Sequence, residues 1–353
     1  MKQRFALLAV FGLLAGLLLA SLRLAADDAP VRAVEPAQTE GIPRHRVGHR
    51  SKVRDMDALL AQGDGGDPLA GNYRLALDEE IFAVFRDSRG IPNSKYYNID
   101  ANLDTIETIR TLYSDGDGPA VATGNFNGDP LDDFVRVRRR SSELYMMLGY
   151  FQDGIYDVTY GFDTGEKGGS LPRVATGDFD GDGQDETVMA WEGSDDWANL
   201  KVYDPQGSIH PGSGFKLYDE KIANGNLDVA TGDFDGDGMD EVALAWIDLG
   251  NAMAVKVYDV AQDGTITAKS KWRGEGGRTA AVATGDFNGD GVDEITAVDG
   301  EYLRIFQVSN KLDTLTAKSR QSWNCSGGDD PSVFQVDVAA GDFDTDAQDE
   351  IVS

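Results

Sequence analysis

One acidic segment occurs five times in the last two thirds of the chain, and it limits the possible folds more than any other feature. The copies read VATGNFNGD, VATGDFDGD, VATGDFDGD, VATGDFNGD and VAAGDFDTD. Their acidic loops begin at positions 125, 178, 233, 286 and 342, so the spacings are 53, 55, 53 and 56 residues. This period is too long for a coiled coil or a β-roll, and it fits one four-stranded blade with its loops.

Short alternating runs of β-branched and aromatic residues fill the intervals between the acidic loops. After the third loop, for example, these runs are 241–247, 255–258 and 265–272. No interval carries the pattern of an amphipathic helix. The sequence therefore predicts an all-β fold, a β-propeller of four-stranded blades with 53 to 56 residues each.

The propeller is expected to span 73–353, with the recognisable repeats at 119–353. Residues 73–118 have strand-like runs but no acidic loop, and we interpret them as a degenerate first blade. The last copy stops just after its loop, so a blade cannot be completed from there by the C-terminal segment alone. Either the N-terminal strands close the ring, or the chain is a fragment that lacks one or more blades.

Each acidic loop places oxygen donors around one point. Carboxylates at loop positions 1, 3 and 5 alternate with residues that point the other way. Glycine at position 6 permits the turn, position 7 offers its carbonyl, and the acid at position 9 closes the shell. In the second loop the donors are Asp178, Asp180, Asp182, Gln184 and Glu186.

The other four loops have corresponding donors, although two of them depart from the pattern. Pro130 replaces the turning glycine in the first loop, and Thr345 and Ala347 replace glycines in the fifth, so these two should bind most weakly. The corresponding residues are Asp233, Asp235, Asp237, Met239 and Glu241 in the third loop; Asp286, Asn288, Asp290, Val292 and Glu294 in the fourth; Asn125, Asn127, Asp129, Leu131 and Asp133 in the first; and Asp342, Asp344, Asp346, Gln348 and Glu350 in the fifth.

Donors that are all oxygen, in an irregular shell, suit Ca²⁺ better than Mg²⁺. An EF-hand would need Glu at position 12, where the second and third loops have Met189 and Leu244 inside predicted strands. The alternative is a set of ordinary Gly-Asp turns. Five clusters of unneutralised carboxylates would repel one another, which favours Ca²⁺ as the cofactor.

The motif GDFDGDGxDE after a VAT strand resembles the FG-GAP or VCBS repeat of integrin α-subunit β-propellers and many bacterial surface proteins. The resemblance covers 121–353. It implies a β-propeller with Ca²⁺ in the hairpin between the first two strands of each blade, held by positions 1, 3, 5 and 9 and the carbonyl of position 7. Position 9 is Glu in four loops rather than the family's usual Asp, and the Asp at position 8, such as Asp185, could compete for that role.

The N-terminus is predicted to direct export. Residues 1–26 have a short basic region followed by an apolar run, as a signal peptide does. Leu24 suits the cleavage site poorly, and 5–22 is just long enough to span a bilayer, so an uncleaved anchor is the alternative. Residues 27–72 read as a flexible linker with a basic island. The predicted location is secreted, periplasmic or cell-surface, with membrane contact only through an uncleaved N-terminal segment.

Charge and reactive residues narrow the function further. The formal net charge of −29 argues against nucleic acid as a partner. A single cysteine, Cys325, excludes an internal disulfide, so bound calcium is expected to stabilise the fold instead. Neither Cys325 nor His210 has a visible catalytic partner, and no hydrolase or phosphate-binding motif occurs, which favours a non-enzymatic protein.

The predicted function is a binding or adhesion module for a glycan or protein outside the cytoplasm. A polysaccharide lyase or hydrolase, and a purely structural module of a larger surface protein, are the alternatives. Binding candidates are residues that break the repeat: Trp197 in the predicted loop 192–199, and Arg138 and Arg139 in the corresponding predicted loop of the first calcium blade. The tryptophans at repeated positions are interpreted as blade packing; they are Trp191, Trp246, Trp272 and Trp323.

Overall fold

The computed structural model of the chain describes residues 81–86, 92–99, 106–113, 117–128, 132–152, 155–168, 171–204, 214–274, 276–322, 338–341 and 348–352. All regular secondary structure in these ranges is β-strand, and strands run from β1 to β20. The predicted signal segment, linker, His210, Trp323 and Cys325 lie outside the described residues.

Four-stranded antiparallel blades follow one another along the chain, each with its strands in sequence order. Blade 1 contains β4 (Asp117–Gly124), β5 (Asp133–Arg140), β6 (Glu143–Gln152) and β7 (Ile155–Lys167). Blade 2 contains β8 (Arg173–Gly177), β9 (Glu186–Glu192), β10 (Trp197–Tyr203) and the first part of β11 (Gly214–Gly232). Blade 3 contains the second part of β11, β12 (Glu241–Asp248), β13 (Met253–Val260) and β14 (Ile266–Arg273). Blade 4 contains β15 (Ala281–Gly285), β16 (Glu294–Val298), β17 (Tyr302–Val308) and β18 (Leu315–Ser322). This architecture confirms the predicted all-β fold with four-stranded blades.

Smaller sheets flank the four blades. A three-stranded sheet of β1 (Ile81–Arg86), β2 (Pro92–Ile99) and β3 (Ile106–Tyr113) lies where the sequence predicts a degenerate first blade, and its β1 and β2 contact β4. At the other end, β19 (Ala339–Gly341) and β20 (Glu350–Val352) form a hairpin, and β19 contacts β15. Among the described strands the sheets do not close into a ring.

Strand β11 differs from the sequence pattern, in which the run 215–218 and the VATG run at 229–232 are predicted as separate strands. The structure has one continuous strand of 19 residues. Its first part pairs with β10 as far as Lys221, and its second part pairs with β12 from Ile222 onward. Blades 2 and 3 are therefore joined by a strand, not a loop. At the junction between blades 1 and 2, by contrast, Pro172 precedes β8 and cannot donate a ladder hydrogen bond.

The apolar core lies between the faces of successive blades. In β9, Met189 and Trp191 pack with blade 1, while Val188 and Ala190 belong to the cluster shared with blade 3. Since neighbouring side chains of a strand point to opposite faces, one nearly continuous apolar strand serves two interfaces. Trp246 packs in the same way, fully buried, and Trp272 packs edge-on to Phe306 with ring centroids 4.9 Å apart. The three described tryptophans at repeated positions are thus packing residues.

The phenylalanine at loop position 2 is predicted to face the core, and this is confirmed for three loops. Phe126, Phe179 and Phe234 are each 0% exposed and belong to the three inter-blade clusters. Phe287, which faces the end of the chain where only β19 and β20 are described, is half-buried. Burying a phenylalanine at each blade junction stabilises the stack by about 1.5–3 kcal/mol per ring.

The aspartate at loop position 8 joins each blade to the one before it. The backbone N–H of Asp240 donates to the carbonyl of Asp178 at 2.9 Å, and the Asp240 carboxylate accepts the Asp178 N–H at 3.0 Å. We call this pair of bonds the inter-blade latch. It recurs between Asn125 and Asp185, between Asp233 and Asp293, and between Asp286 and Asp349. The position-8 carboxylate therefore lies against the neighbouring loop. The sequence alone makes it an alternative to position 9 in the metal ligand set.

Two further residues of the VATG strand fit the latch. The threonine hydroxyls form a ladder across the blades: Thr231 donates to the Thr176 carbonyl at 2.5 Å, and Thr284 donates to the Thr231 carbonyl at 2.5 Å. The following glycine leaves room for the carboxylate, because a Cβ at Gly232 would lie 2.6 Å from Oδ2 of Asp293. Each repeat thus keeps both the hydrogen bonds to the next blade and the free space beside its glycine that the next carboxylate occupies.

Replacement of Gly232 by alanine is expected to destabilise the protein by about 1–3 kcal/mol, because the new methyl group meets the Asp293 carboxylate. Replacement of Asp293 by alanine is expected to cost about 1–3 kcal/mol through the loss of its latch bond. In the double variant the clash is absent, so the free energies of unfolding should fall short of additivity. Strictly additive losses in denaturant unfolding would contradict the contact.

Candidate metal centre

The acidic loops lie in the hairpin between the first and second strands of each blade, as the resemblance implied. The position-1 carboxylate organises the loop. Oδ1 of Asp178 accepts the N–H of Gly181 at 2.9 Å, and Oδ2 accepts the N–H of Gly183 at 3.0 Å. Asp233 and Asp286 bind the equivalent glycine amides at 2.7 to 2.9 Å. The buried position-1 side chain therefore fixes the loop even before a ligand is considered.

Glycine is required at two positions of the loop. Position 6 has the predicted positive φ, 95° at Gly183 and 91° at Gly238. Position 4 has one too, 76° at Gly181 and 81° at Gly236, which the sequence analysis missed. Its signal was present, because glycine stands at position 4 in the first four loops. Side chains rarely adopt this conformation, so both glycines serve the turn.

The glutamate at position 9 reaches back across the loop. Oε2 of Glu186 accepts the N–H of Phe179 at 2.9 Å, and Oε2 of Glu241 accepts the N–H of Phe234 at 2.8 Å. Both glutamates begin the second strand of their blade and are almost fully buried. Their rigid strand position holds one carboxylate oxygen toward the acids at positions 1 and 3.

Two acidic clusters result, and each can hold a metal ion. In the second loop Asp178, Asp180 and Glu186 each bring a carboxylate oxygen within 4.8 Å of the others. In the third loop the cluster consists of Asp233, Asp235 and Glu241. These are the ligands predicted at positions 1, 3 and 9.

The residues at positions 5 and 7 are not part of the two clusters of the described residues. The exposed Asp182 and Asp237 accept the backbone N–H of Gln184 and Met239, at 2.8 and 2.9 Å. They lie beside the clusters rather than within them. Position 7 is predicted to bind only through its carbonyl, consistent with the varied side chains there.

The buried glutamates are surrounded by negative charge. Burial raises the pKa of Glu186 to about 9, and the charges of Asp180 and Asp178 add to that effect. Burial, with Asp235 and Asp233 nearby, likewise raises the pKa of Glu241 to about 9. Holding these side chains ionised therefore requires positive charge in the loop.

The fourth loop has the same arrangement with one acid fewer, at position 3. Asn288 stands at position 3, and its amide donates to Oε1 of Glu294, whose Oε2 accepts the N–H of Phe287 at 3.1 Å. Burial, then the charge of Asp290, raises the pKa of Glu294 to about 7, less than in the two clusters. The predicted donors Asp286, Asp290 and Val292 occupy the same loop positions as their counterparts.

The two irregular loops are described in part. In the first loop Asn125 accepts the N–H of Gly128 at 2.8 Å, as the position-1 aspartates do elsewhere, and Asp133 is buried at the start of β5. Asn127 lies in the same turn. In the fifth loop Gln348 and Glu350 are described at the base of the hairpin. The predicted donors outside the described residues are Asp129, Leu131, Asp342, Asp344 and Asp346.

The candidate ligand-binding residues lie at the end of the blades opposite the acidic loops. Trp197 begins β10, and the ammonium of Lys221 lies 5.3 Å from its ring centroid. Arg138 and Arg139 belong to the end of strand β5, not to a loop, and the Arg138 guanidinium lies 5.0 Å from the Tyr145 ring centroid. The structure thus separates these residues from the metal centre by the length of a strand.

Comparison with known proteins identifies the repeat. The family model described as FG-GAP-like repeat matches residues 233–297, from the start of the third acidic loop into β16. Residues 233–297 therefore contain an FG-GAP-like repeat, which confirms the resemblance seen in the sequence. No curated protein sequence matches the chain significantly.

Solved structures resemble the fold at low sequence identity. A triple arginine-to-alanine mutant of AofleA from Arthrobotrys oligospora is 10% identical with a TM-score of 0.50, covering 77% of this chain and 74% of that protein. Rhamnogalacturonan lyase YesW is 14% identical with a TM-score of 0.37, over 68% of this chain and 62% of the lyase. The Bacillus licheniformis rhamnogalacturonan lyase PL11 is 15% identical with a TM-score of 0.36, over 64% and 56%. The chain spans less than two thirds of either lyase. The likeness to AofleA concerns the fold alone.

The described residues contain no helix with the length and hydrophobicity that a membrane span requires.

In the absence of divalent cations, stability should depend on pH through the buried glutamates. Because the pKa values of Glu186 and Glu241 are about 9 in the folded protein against an ordinary 4.5, the folded state holds protons that the unfolded chain releases. Their contribution is complete at low pH and is lost as the pH rises from about 4.5 toward 9. Replacing both by glutamine should remove this part of the pH dependence of Tm, and an unchanged slope would contradict the shifted pKa values.

Proposed function

We propose that the protein is an exported, calcium-binding β-propeller that serves as a binding or adhesion module for a glycan or protein outside the cytoplasm. The observation that carries this proposal is the pair of acidic clusters, built from the same loop positions in consecutive blades. FG-GAP repeats are typical of extracellular proteins, which supports the predicted export.

The chemistry of the donors favours calcium within the proposal. Each cluster offers carboxylate oxygens only, and two of its three acids are buried among like charges. Hard oxygen donors in an irregular loop suit Ca²⁺, which accepts more ligands and looser geometry than Mg²⁺. The position-5 carboxylate and position-7 carbonyl of the same loop complete the proposed ligand set; a bound cation would supply the positive charge that the buried glutamates require.

Calcium would also supply stability that disulfides cannot give to a chain with one cysteine. Extracellular calcium modules commonly have dissociation constants of about 10⁻⁴ to 10⁻³ M. At about ten times the dissociation constant, each site stabilises the folded state by about 1.4 kcal/mol. A few such sites equal a large share of a typical domain's net stability of about 5–15 kcal/mol.

Removal of calcium with excess chelator is expected to lower Tm by about ten degrees or more relative to millimolar calcium. The variant that combines Asp180→Ala with Asp235→Ala removes one exposed-side ligand from each cluster and should respond less to the chelator than the unaltered chain. Thermal unfolding followed by circular dichroism measures both. A midpoint that chelation does not move would mean that the loops are ordinary acidic turns.

The end of the propeller opposite the metal centre is the proposed ligand-binding surface. It carries residues without counterparts in the other blades: Trp197 at the β9–β10 turn, and Arg138 and Arg139 at the end of β5. An aromatic ring beside cationic groups suits a sugar face or an acidic partner. The metal centre would then hold the scaffold while this surface selects the ligand.

Replacement of Trp197 by alanine is expected to weaken retention on a glycan or protein array by about tenfold or more if its ring stacks on the ligand. Leu249→Ala, at a neighbouring turn of the same end, serves as the matched control and should retain binding. Equal binding by the two variants would place the ligand elsewhere. Progressive shortening of a bound polysaccharide, instead of saturable retention, would favour the lyase or hydrolase alternative.

A further inference from the structure

Adjacent acidic loops share a direct connection through the inter-blade latch. Asp178 has two roles. Its carboxylate accepts the glycine amides of the second loop and belongs to the cluster of that loop, while its backbone is hydrogen-bonded to Asp240. Asp240 precedes Glu241, which belongs to the cluster of the third loop. One latch and one peptide bond therefore separate the two clusters.

The same connection continues along the chain. Asp233 of the third loop is latched to Asp293, which precedes Glu294 of the fourth loop. Asp286 of the fourth loop is latched to Asp349, which precedes Glu350 of the fifth. Every latch thus joins position 1 of one loop to the residue beside position 9 of the next.

A second contact reinforces the connection between the second and third blades. The turn between β13 and β14 belongs to blade 3, and its Gln262 amide donates to the carbonyl of Asp180 at 3.3 Å. Asp180 is the position-3 member of the second-loop cluster. Blade 3 is therefore hydrogen-bonded to the backbone of Asp178 and of Asp180, two of the three acids in the second-loop cluster.

We propose that the acidic loops form one coupled array, in which a cation bound at one loop raises the affinity of the neighbouring loops. The position-8 aspartates are the positioning residues of this array: they bind no cation themselves but hold position 1 of the preceding loop. The inference rests on the proposed calcium function and adds to it a coupling between neighbouring loops.

The physical basis is the shared cost of ordering. A cation that fixes Glu241 also fixes Asp240, and through its two bonds fixes the backbone of Asp178, so the second loop loses less conformational freedom on binding. Coupling of this kind is reciprocal. Since each loop is latched only to its neighbours, the effect should be strongest between adjacent loops and fade with distance, as in other repeat arrays.

Hydrogen exchange of the full chain measures each loop separately. The calcium concentration that half-protects the peptides of 178–186, 233–241 and 286–294 reports binding at the second, third and fourth loops. Asp235→Ala disables the third loop without touching a latch, because the Asp235 side chain accepts only the N–H of Asp237 among the bonds of the described structure. In this variant the half-protecting concentration at the second loop is expected to rise at least about fivefold.

Latch variants test the route. Asp240→Ala removes the side-chain bond of the latch between the second and third loops and leaves its backbone bond, so in that background Asp235→Ala should affect the second loop much less. Asp293→Ala is the matched control: it removes the same bond from the next latch, so it should reduce the effect on the fourth loop and leave that on the second. Asp240→Asn keeps an oxygen to accept the Asp178 N–H and should restore coupling, which separates positioning from simple loss of folding.

The outcomes distinguish the coupling from the calcium function. Loops that gain protection in calcium independently of one another would overturn the coupling and leave calcium binding in place. Coupling that is undiminished in the Asp240→Ala background would overturn the side-chain bond of the latch as its route. If no loop gains protection in calcium, both the calcium function and the coupled array are wrong.

Discussion

The structure depends on one buried contact, the latch between the position-8 aspartate of a blade and the loop backbone of the blade before it. The hydrogen bond from the buried Asp178 N–H favours the ionised carboxylate of Asp240 and lowers its pKa. Burial has the larger effect and raises the pKa of Asp240 to about 8. The latch therefore contributes through the position of its hydrogen bonds as well as through the charge of the carboxylate. It sets the distance between blades, and this distance in turn places the apolar faces, the threonine ladder and the phenylalanine of each loop in contact.

The latch also explains why the loops and the core repeat together. Position 1 belongs to the acidic cluster, position 2 to the core, and position 8 contacts the neighbouring blade, so one segment of eight residues serves three requirements. In the fourth loop, where Asn288 replaces an aspartate, the latch and the loop turn are unchanged. The loop can thus vary its charge at position 3 without loss of its fold.

The repeat made the architecture predictable from sequence, because its period and its alternation both indicate four-stranded blades. The acids that cluster at positions 1, 3 and 9 were also named from the sequence, because they lie within nine residues of one another in a single loop. The role of position 8 was not, because its partner lies about sixty residues away in the chain and no local pattern reports it. The continuous strand β11 was missed for a related reason: whether two short runs merge depends on pairing with β10 and β12, not on the runs themselves. Trp197 and Arg138 were recognised as breaks in the repeat, but their contacts with Lys221 and Tyr145 are tertiary.

The close fit of glycine and aspartate across blades has a consequence for how such a chain can change over generations. The glycine at the end of one first strand and the aspartate that fills the space beside it belong to different repeats, as Gly232 and Asp293 do. Duplication or deletion of a whole repeat carries one glycine and one aspartate together, so every remaining junction still has both halves. A change within a single repeat alters the fit with its neighbour instead. An ancestral array could therefore lengthen or shorten by entire units more readily than its individual units could diverge at these two positions.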